Sequence, residues 1–258
     1  MTGKYNINLL ESLKDKVEIP LEEKLRLTDA VIETNLRKFR DDCVVSWSGG
    51  KDSTLVLWFV REIWPDIKVV FNDTGVEYPE TIQFIKEVAA SWKLNLTITK
   101  PIKTFWKCAE EYGFPNGSKS NNQENKTPHC CYFLKEKPMK DAIRLYKWKA
   151  VFDGVTAVES RIRMFSARDY GTCHFNTKWH IQKVRPILYW TEDEVFDFMK
   201  REGIPLNPRY SMGARRVGCM TCTAYKSWES RMSMENPKLY TIIKARKDGF
   251  EQGRFSMK

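Results

Sequence analysis

From residue 21 to residue 40, Leu21, Leu25, Ala30, Ile32, Leu36 and Phe39 recur among charged positions at roughly helical spacing, which predicts a helix with one buried face. Beyond it the period shortens. Apolar runs predict strands over 43–47, 68–72, 95–99, 150–154 and 181–187, with helix-length stretches near 52–64, 79–92, 134–147 and 191–202 between or after them. Strands separated by helices imply βαβ crossovers, so the expected class is α/β, a mostly parallel twisted sheet flanked by helices. Ligands of such sheets bind beyond the carboxyl ends of the strands, here where the loops after Trp47, Asn72 and Asp153 meet. The stretch 113–129, rich in Asn, Ser, Lys and Gly, predicts a mobile loop.

With 258 residues and 42% hydrophobic positions, the chain suits one large domain, or one domain with an elaborated end, around a real core. No window approaches the roughly 18 consecutive apolar residues of a membrane span. Residues 1–20 mix charges with apolar positions and lack a signal-peptide core, so a cytoplasmic location and no membrane partner are expected. A formal net charge of +10 would attract nucleic acid and steer nucleotides. Seven cysteines cannot all pair internally, and in a reducing compartment clustered thiols point to metal or redox chemistry.

The predicted first strand breaks into Ser48-Gly49-Gly50-Lys51-Asp52-Ser53, and a helix follows. Two glycines let main-chain N–H groups approach an anion, the helix start aims its positive end at the same spot, and Lys51 adds a full charge. This is a phosphate-binding turn that departs from the Walker pattern, which needs four residues between its first glycine and Gly-Lys-Ser/Thr. The second strand ends in Asn72-Asp73-Thr74-Gly75, a carboxylate and a glycine suited to a ribose or adenine contact, or to an Asx-type turn before a capped helix. Cys130-Cys131 and Cys219-Met220-Thr221-Cys222 supply four soft ligands that fit a tetrahedral metal or an iron–sulfur cluster. Adjacent cysteines speak against a routine zinc ribbon. Cys43, Cys108 and Cys173 have no such partners and read as small hydrophobes or incidental thiols.

The turn from Ser48 to Ser53 resembles the PP-loop of ATP pyrophosphatases and sulfonucleotide reductases, and Asp73-Thr74-Gly75 resembles the segment after the second strand in the reductases. The four cysteines resemble the [4Fe-4S] site of assimilatory adenylyl-sulfate (APS) reductases, with Lys135 matching the basic residue kept beside that cluster. Residues 154–163 are similar to the family's Gly-x-Arg-x-x-Glu-Ser-x-x-Arg, with Thr156 where an arginine is usual. Further segments follow the pattern in order: Arg185-Pro186-Ile187-Leu188, 190–195, 205–210 and 216–219. The resemblance, to the phosphoadenylyl-sulfate (PAPS) reductase superfamily within the adenine-nucleotide α-hydrolase-like, Rossmann-like fold, spans roughly residues 25 to 235.

It implies a helical extension over 1–40, a PP-loop nucleotide-binding and iron–sulfur domain over 41–235, and a helical tail over 236–258. It also implies nucleotide contacts from Ser46, Ser48, Gly49, Gly50, Lys51, Asp52, Ser53, Asp73, Thr74, Gly75, Gly154, Glu159 and Arg161, and catalytic roles for Lys51, Asp52 and Arg163. Cys130, Cys131, Cys219 and Cys222 would ligate the cluster. Arginines 161, 163, 168, 215 and 216 are candidates for clamping phosphate or sulfate.

A reductase of this family uses a nucleophilic cysteine in a carboxyl-terminal Glu-Cys-Gly-Leu-His segment, and none stands in this sequence after Cys222. The full Ser-Gly-Gly-Lys-Asp-Ser turn resembles enzymes that split ATP between its α- and β-phosphates. The expectation is therefore an ATP α-hydrolase releasing AMP and pyrophosphate with Mg²⁺, whose adenylated acceptor, a tRNA or DNA, takes sulfur from a donor handled by the [4Fe-4S] cluster. The alternative is an assimilatory APS or PAPS reductase forming sulfite with a thioredoxin-like reductant. A third reading is a non-catalytic nucleotide-binding regulator.

Overall fold

The computed structural model describes residues 10–116, 129–225 and 227–253, so most of the predicted mobile loop lies outside the described residues. The chain divides into two compact units.

The first unit comprises residues 1–71, 80–97 and 143–217. It opens with α1 (Glu11–Val17) and α2 (Leu21–Phe39), the latter burying Ile32 and Leu36 as its periodicity predicts. A single 3₁₀ turn leads into β1 (Cys43–Ser46), then α3 (Lys51–Ile63), β2 (Lys68–Asn72), α4 (Pro79–Ser91) and β3 (Asn95–Thr99). After the second unit's insertion come β4 (Ala150–Phe152), α8 (Arg161–Tyr170), β5 (Cys173–Asn176), β6 (Ile181–Val184), α9 (Glu192–Arg201) and α10 (Pro208–Ser211).

The sheet order is β3-β2-β1-β4-β6-β5. β1 pairs in parallel with β2 and β4, β4 pairs in parallel with β6, and β5 pairs with β6 in antiparallel. Strand order reverses between β1 and β4, so the loops after those two strands diverge and leave the crevice in which open α/β sheets hold ligands. The registers Val45↔Phe152 and Phe152↔Val184 bring the ends of β1, β4 and β6 level. Val44, Val45, Phe152, Leu55, Leu57 and Trp190 are buried to 1% exposure or less, which fixes that level with a packed core.

Two elements of this unit differ from expectation. β5 has no counterpart among the predicted strands: Cys173-His174-Phe175-Asn176 alternates over only four residues, and it pairs with β6 through a hairpin that turns through His180 in the left-handed region at φ 51°. α8 was hidden because its sequence is polar; Ser160 caps it by accepting the Arg163 N–H at 3.3 Å. The strand predicted over 181–187 stops at Val184, two residues before Pro186, which lacks the N–H a ladder needs.

The second unit comprises residues 72–79, 98–142 and 218–258. It contains α5 (Phe105–Tyr112), a short α6 (His129–Cys131) running on through a π-helical turn at Tyr132–Glu136 into α7 (Lys137–Tyr146), and then α11 (Trp228–Glu235) and α12 (Pro237–Glu251). Phe105, Leu134, Met232 and Ile243 form its core, with Cys130 and Cys219 packed against it. No helix among the described residues is long and apolar enough to cross a membrane.

Candidate active site

The phosphate turn sits at the end of β1. Gly49 has φ 73°, a conformation that costs a side-chain-bearing residue, and an added Cβ would lie 3.1 Å from Ile85 Cδ1. Gly50 caps α3 from an extended conformation. Ser53 Oγ donates to the Gly50 carbonyl at 3.0 Å and accepts the Ser48 N–H at 3.2 Å, so the serines the motif demands stitch the turn to the first turn of α3. Two further groups brace it. Asn207 donates to the Gly49 carbonyl at 3.1 Å, and the Tyr210 hydroxyl accepts the Lys51 N–H at 3.0 Å. Trp47, 1% exposed, reaches Thr54 Oγ1 at 3.0 Å. Ser46 ends the strand, half-buried, behind the turn.

Lys51 is 7% exposed, and its ammonium contacts Asp52 at 2.9 Å and Glu192 at 3.6 Å. Burial pushes it down, yet the Asp52 carboxylate more than offsets this, and the group stays above its ordinary value. The lysine is therefore a permanent cation at the turn, held by two carboxylates. Tyr210 is pushed up by burial and stays a neutral phenol.

The loop after β4 closes on this turn. A Cβ built on Gly154 would lie 2.5 Å from the Asp52 carbonyl carbon and the Ser53 nitrogen, so only glycine fits between β4 and α3 here. Asp153 faces Lys183 at 3.5 Å and Arg185 at 3.9 Å. Arg163 pairs with Glu159, which also takes Arg216 at 3.3 Å. Burial and then Arg216 press the Arg163 guanidinium down, while Asp52 and Asp153 pull it up, so Arg163 belongs to the same electrostatic group as the turn. Arg161, Arg168 and Arg215 are exposed, and Thr156, standing at the usual arginine position, is buried. Asn207, Tyr210, Glu192 and Asp153 carry no motif signal of their own beyond lying in or beside the ordered family segments. Two cavities, of about 480 and 600 Å³, lie against α2, and neither is lined by a residue of the turn.

Asp73, Thr74 and Gly75 fall in the second unit. Asp73 accepts the Gly75 N–H at 3.0 Å in an Asx-type turn, and Thr74 donates to Glu77 at 2.7 Å. Glu77 bridges to Cys219, and the Met220 N–H donates to the Val76 carbonyl at 2.9 Å.

The four paired cysteines share this unit and none forms a disulfide. Cys130 donates toward Cys131, which holds Cys131 down at about 7 and pushes Cys130 itself up; Cys222 and Cys219 raise Cys130 further. Burial raises Cys219 and Cys222, against the pull of Lys135. The Lys135 ammonium is raised foremost by Cys219, with Glu77 and Cys131 adding to it. Four thiols thus repel one another's ionisation around one cation, as a thiolate cradle must before it is filled. Among the described residues no group of three or more His, Cys, Asp or Glu side chains is set to hold a metal ion. A [4Fe-4S] cluster presents a separate iron to each thiolate and needs a wider cradle than one ion does, so the donor set fits the cluster in kind.

Two of the remaining thiols, Cys43 and Cys108, are not poised as nucleophiles. Burial pushes Cys43 up to about 12 and Cys108 up to about 11. Cys173 accepts a hydrogen bond from Asn35 at 3.3 Å.

Adenosine 5'-phosphosulfate reductase of Staphylococcus haemolyticus is 31% identical over 207 residues, 78% of this chain and 79% of that one. Adenosine 5'-phosphosulfate reductase 1 of Bacillus subtilis is 26% identical over 216 residues, 81% of this chain and 84% of that one. Among solved structures, the phosphoadenylyl-sulfate reductase of Candida auris in a phosphate complex superposes with a TM-score of 0.58 at 19% identity, covering 83% of this chain and 97% of that one. Candida glabrata FMN adenylyltransferase in complex with ATP gives 0.56 at 14% identity, over 84% and 66% of the two chains, a likeness of fold alone. The pattern defining the phosphoadenosine phosphosulfate reductase domain matches residues 42–225, from the start of β1 past the second cysteine pair, and the chain belongs to that family.

Proposed function

We propose that this protein cleaves ATP between its α- and β-phosphates, transferring the adenylyl group to an acceptor, or to water as AMP when no acceptor is bound, and releasing pyrophosphate. The observation that carries this reading is Lys51: a buried, permanently charged ammonium inside a complete Ser48–Ser53 turn, kept in place by Asp52 and Glu192. Negative charge grows on the departing pyrophosphate, and a fixed cation stabilises that charge more than it stabilises bound ATP. Backbone N–H groups of the turn and the start of α3 would hold the phosphates. Asp52 and Glu192 supply the one or two carboxylates that a Mg²⁺ ion arriving with ATP needs, and the ion would neutralise phosphate oxygens. Arg163, whose charge is favoured by Asp52 and Asp153, would hold the α-phosphate as its geometry inverts.

Cys130, Cys131, Cys219 and Cys222 would hold the [4Fe-4S] cluster with Lys135 beside it, and when bound the cluster supplies a place for sulfide. The adenylated acceptor, a nucleic acid in keeping with the net charge of +10, would exchange AMP for sulfur from a donor. A cytoplasmic setting suits four reduced thiols. The second reading, an APS or PAPS reductase, is favoured by the names of relatives 26–31% identical to this chain. It asks a cysteine to attack sulfur, and Cys43 and Cys108 are pushed to about 12 and 11. The test is product analysis with anaerobically purified protein: AMP and pyrophosphate from ATP support the proposal, and thioredoxin-dependent sulfite from APS or PAPS supports the reductase.

A further inference from the structure

We propose that α8 and the β5–β6 hairpin form a docking strip for single-stranded nucleic acid that leads to the phosphate turn, an inference that names the acceptor surface for the adenylyl-transfer reading above. Between residues 161 and 185 the sequence carries six cations, Arg161, Arg163, Arg168, Lys178, Lys183 and Arg185, against one carboxylate, Asp169. Such an imbalance on one short stretch selects a polyanion.

The rings in the same stretch select what kind. Phe165 is 42% exposed with the Arg168 guanidinium 5.2 Å from its centroid, and Tyr170 is 57% exposed and stacked on His174 at 4.8 Å and 27°. Lys183 lies over Trp179 at 4.5 Å. Three aromatic faces, each with a cation or an imidazole against it, repeat along one path. Bases splayed from a single strand stack on such rings while cations follow the phosphates. A duplex keeps its bases stacked internally and offers nothing to the rings.

The path is continuous and it ends in the right place. Arg185 donates to Ser166 Oγ at 2.9 Å, which ties the hairpin to α8. His174 and Lys183 face each other in the β5–β6 register and so share a sheet face. On that face Asp153 Oδ1, His174 Nδ1 and Arg185 Nε are buried and find no hydrogen-bond partner among the described residues. Asp153 Oδ1 and Arg185 Nε meet only as a loose ion pair at 3.9 Å, and a buried polar atom without a hydrogen bond is costly, so the three mark a spot that a hydroxyl- or phosphate-bearing ligand would satisfy. Asp153 is followed by Gly154, which packs on Asp52 and Ser53 of the turn. A strand lying on the rings would therefore bring a nucleotide to the place where ATP is opened.

The experiment is fluorescence anisotropy with labelled 12-nucleotide single strands of RNA and DNA and the matching duplex, on the full chain without ATP, alongside AMP release measured without oligonucleotide. Wild type is expected to prefer the single strand, with affinity falling steeply as salt rises from about 50 to 200 mM. Tyr170→Ala and Phe165→Ala are each expected to weaken single-strand binding roughly five- to 150-fold, while Tyr170→Phe, which keeps the ring, retains it. Basal AMP release and the melting temperature should not change in any of the three. Equal binding by Tyr170→Ala and wild type overturns the proposal, as does equal preference for duplex. Equal competition by poly-glutamate would also overturn it, marking the strip as an acidic-protein surface. Loss of AMP release from wild type with ring-dependent binding intact would instead sink the ATP reading and leave the strip standing.

Discussion

Replacing Gly154 by alanine tests the join between β4 and the phosphate turn. The added Cβ would lie 2.5 Å from the Asp52 carbonyl carbon, 2.5 Å from the Ser53 nitrogen and 2.7 Å from the Asp52 oxygen. Favourable carbon contacts lie near about 3.5–4.0 Å, so the two backbones must part by about 1 Å. No flexible side chain stands there to give way. Overpacking of this kind costs about 1–3 kcal/mol, while alanine stiffens the unfolded chain and returns about 0.4–1 kcal/mol, so a net loss of about 1–2 kcal/mol is expected. Function suffers more, because a 1 Å misplacement at a reacting centre costs on the order of 10²-fold in rate. Urea unfolding should show a lower midpoint with unchanged slope, and AMP release at saturating ATP should fall about 100-fold. Gly218→Ala, where a Cβ meets nothing within 4 Å, serves as the stability control. Wild-type stability and turnover in Gly154→Ala would refute the close approach and the site built on it.

Lys51→Ala should lower kcat for AMP formation by about 2.7–4 kcal/mol of transition-state stabilisation with a smaller change in ATP binding, and equal losses in both would assign Lys51 to ground-state binding. Alanine in place of Cys130, Cys131, Cys219 or Cys222 should each strip iron and acid-labile sulfide from anaerobic protein, and stoichiometric zinc without sulfide would contradict the cluster. Lys24 is 1% exposed and its ammonium meets both oxygens of Glu194 at 2.7 Å, so Lys24→Ala should cost about 1.5–3 kcal/mol in urea unfolding by removing a charged hydrogen bond from a carboxylate that keeps the Thr191 N–H. His174 is held below its ordinary 6.5 by burial and then by Arg185. The unfolded chain therefore takes the proton first: the His174 contribution is present above about 6.5 and is lost as pH falls below it, and His174→Asn should flatten that limb of the stability profile.

Much of the site was legible because its chemistry is local. Gly49, Gly50, Lys51 and Ser53 act within one turn, so their spacing alone announces a phosphate cradle, and the structure adds only the bracing by Asn207 and Tyr210 from far along the chain. The paired cysteines were legible for the same reason. The parallel strands were readable as apolar runs, since both their faces are covered. β5 was not, because its apolar–polar alternation runs for only four residues, and α8 was not, because a helix with one thin buried stripe at Met164 and Ala167 shows little periodicity. Those two elements carry the rings and cations of the docking strip. Glu192 and Asp153 were out of reach as well: a carboxylate's role depends on what tertiary structure sets opposite it, here Lys51 at 3.6 Å and Lys183 at 3.5 Å.

The central claim is that the turn around Lys51 opens ATP at the α-phosphate. Incubation of anaerobically purified protein with α-labelled ATP and Mg²⁺, and in parallel with labelled APS and PAPS plus thioredoxin, tests it most directly. The account predicts labelled AMP with equimolar pyrophosphate, lost in Lys51→Ala, and no sulfite. Robust thioredoxin-dependent sulfite release, abolished in Cys173→Ser or Cys108→Ser, with ATP left intact, would contradict it and establish the reductase.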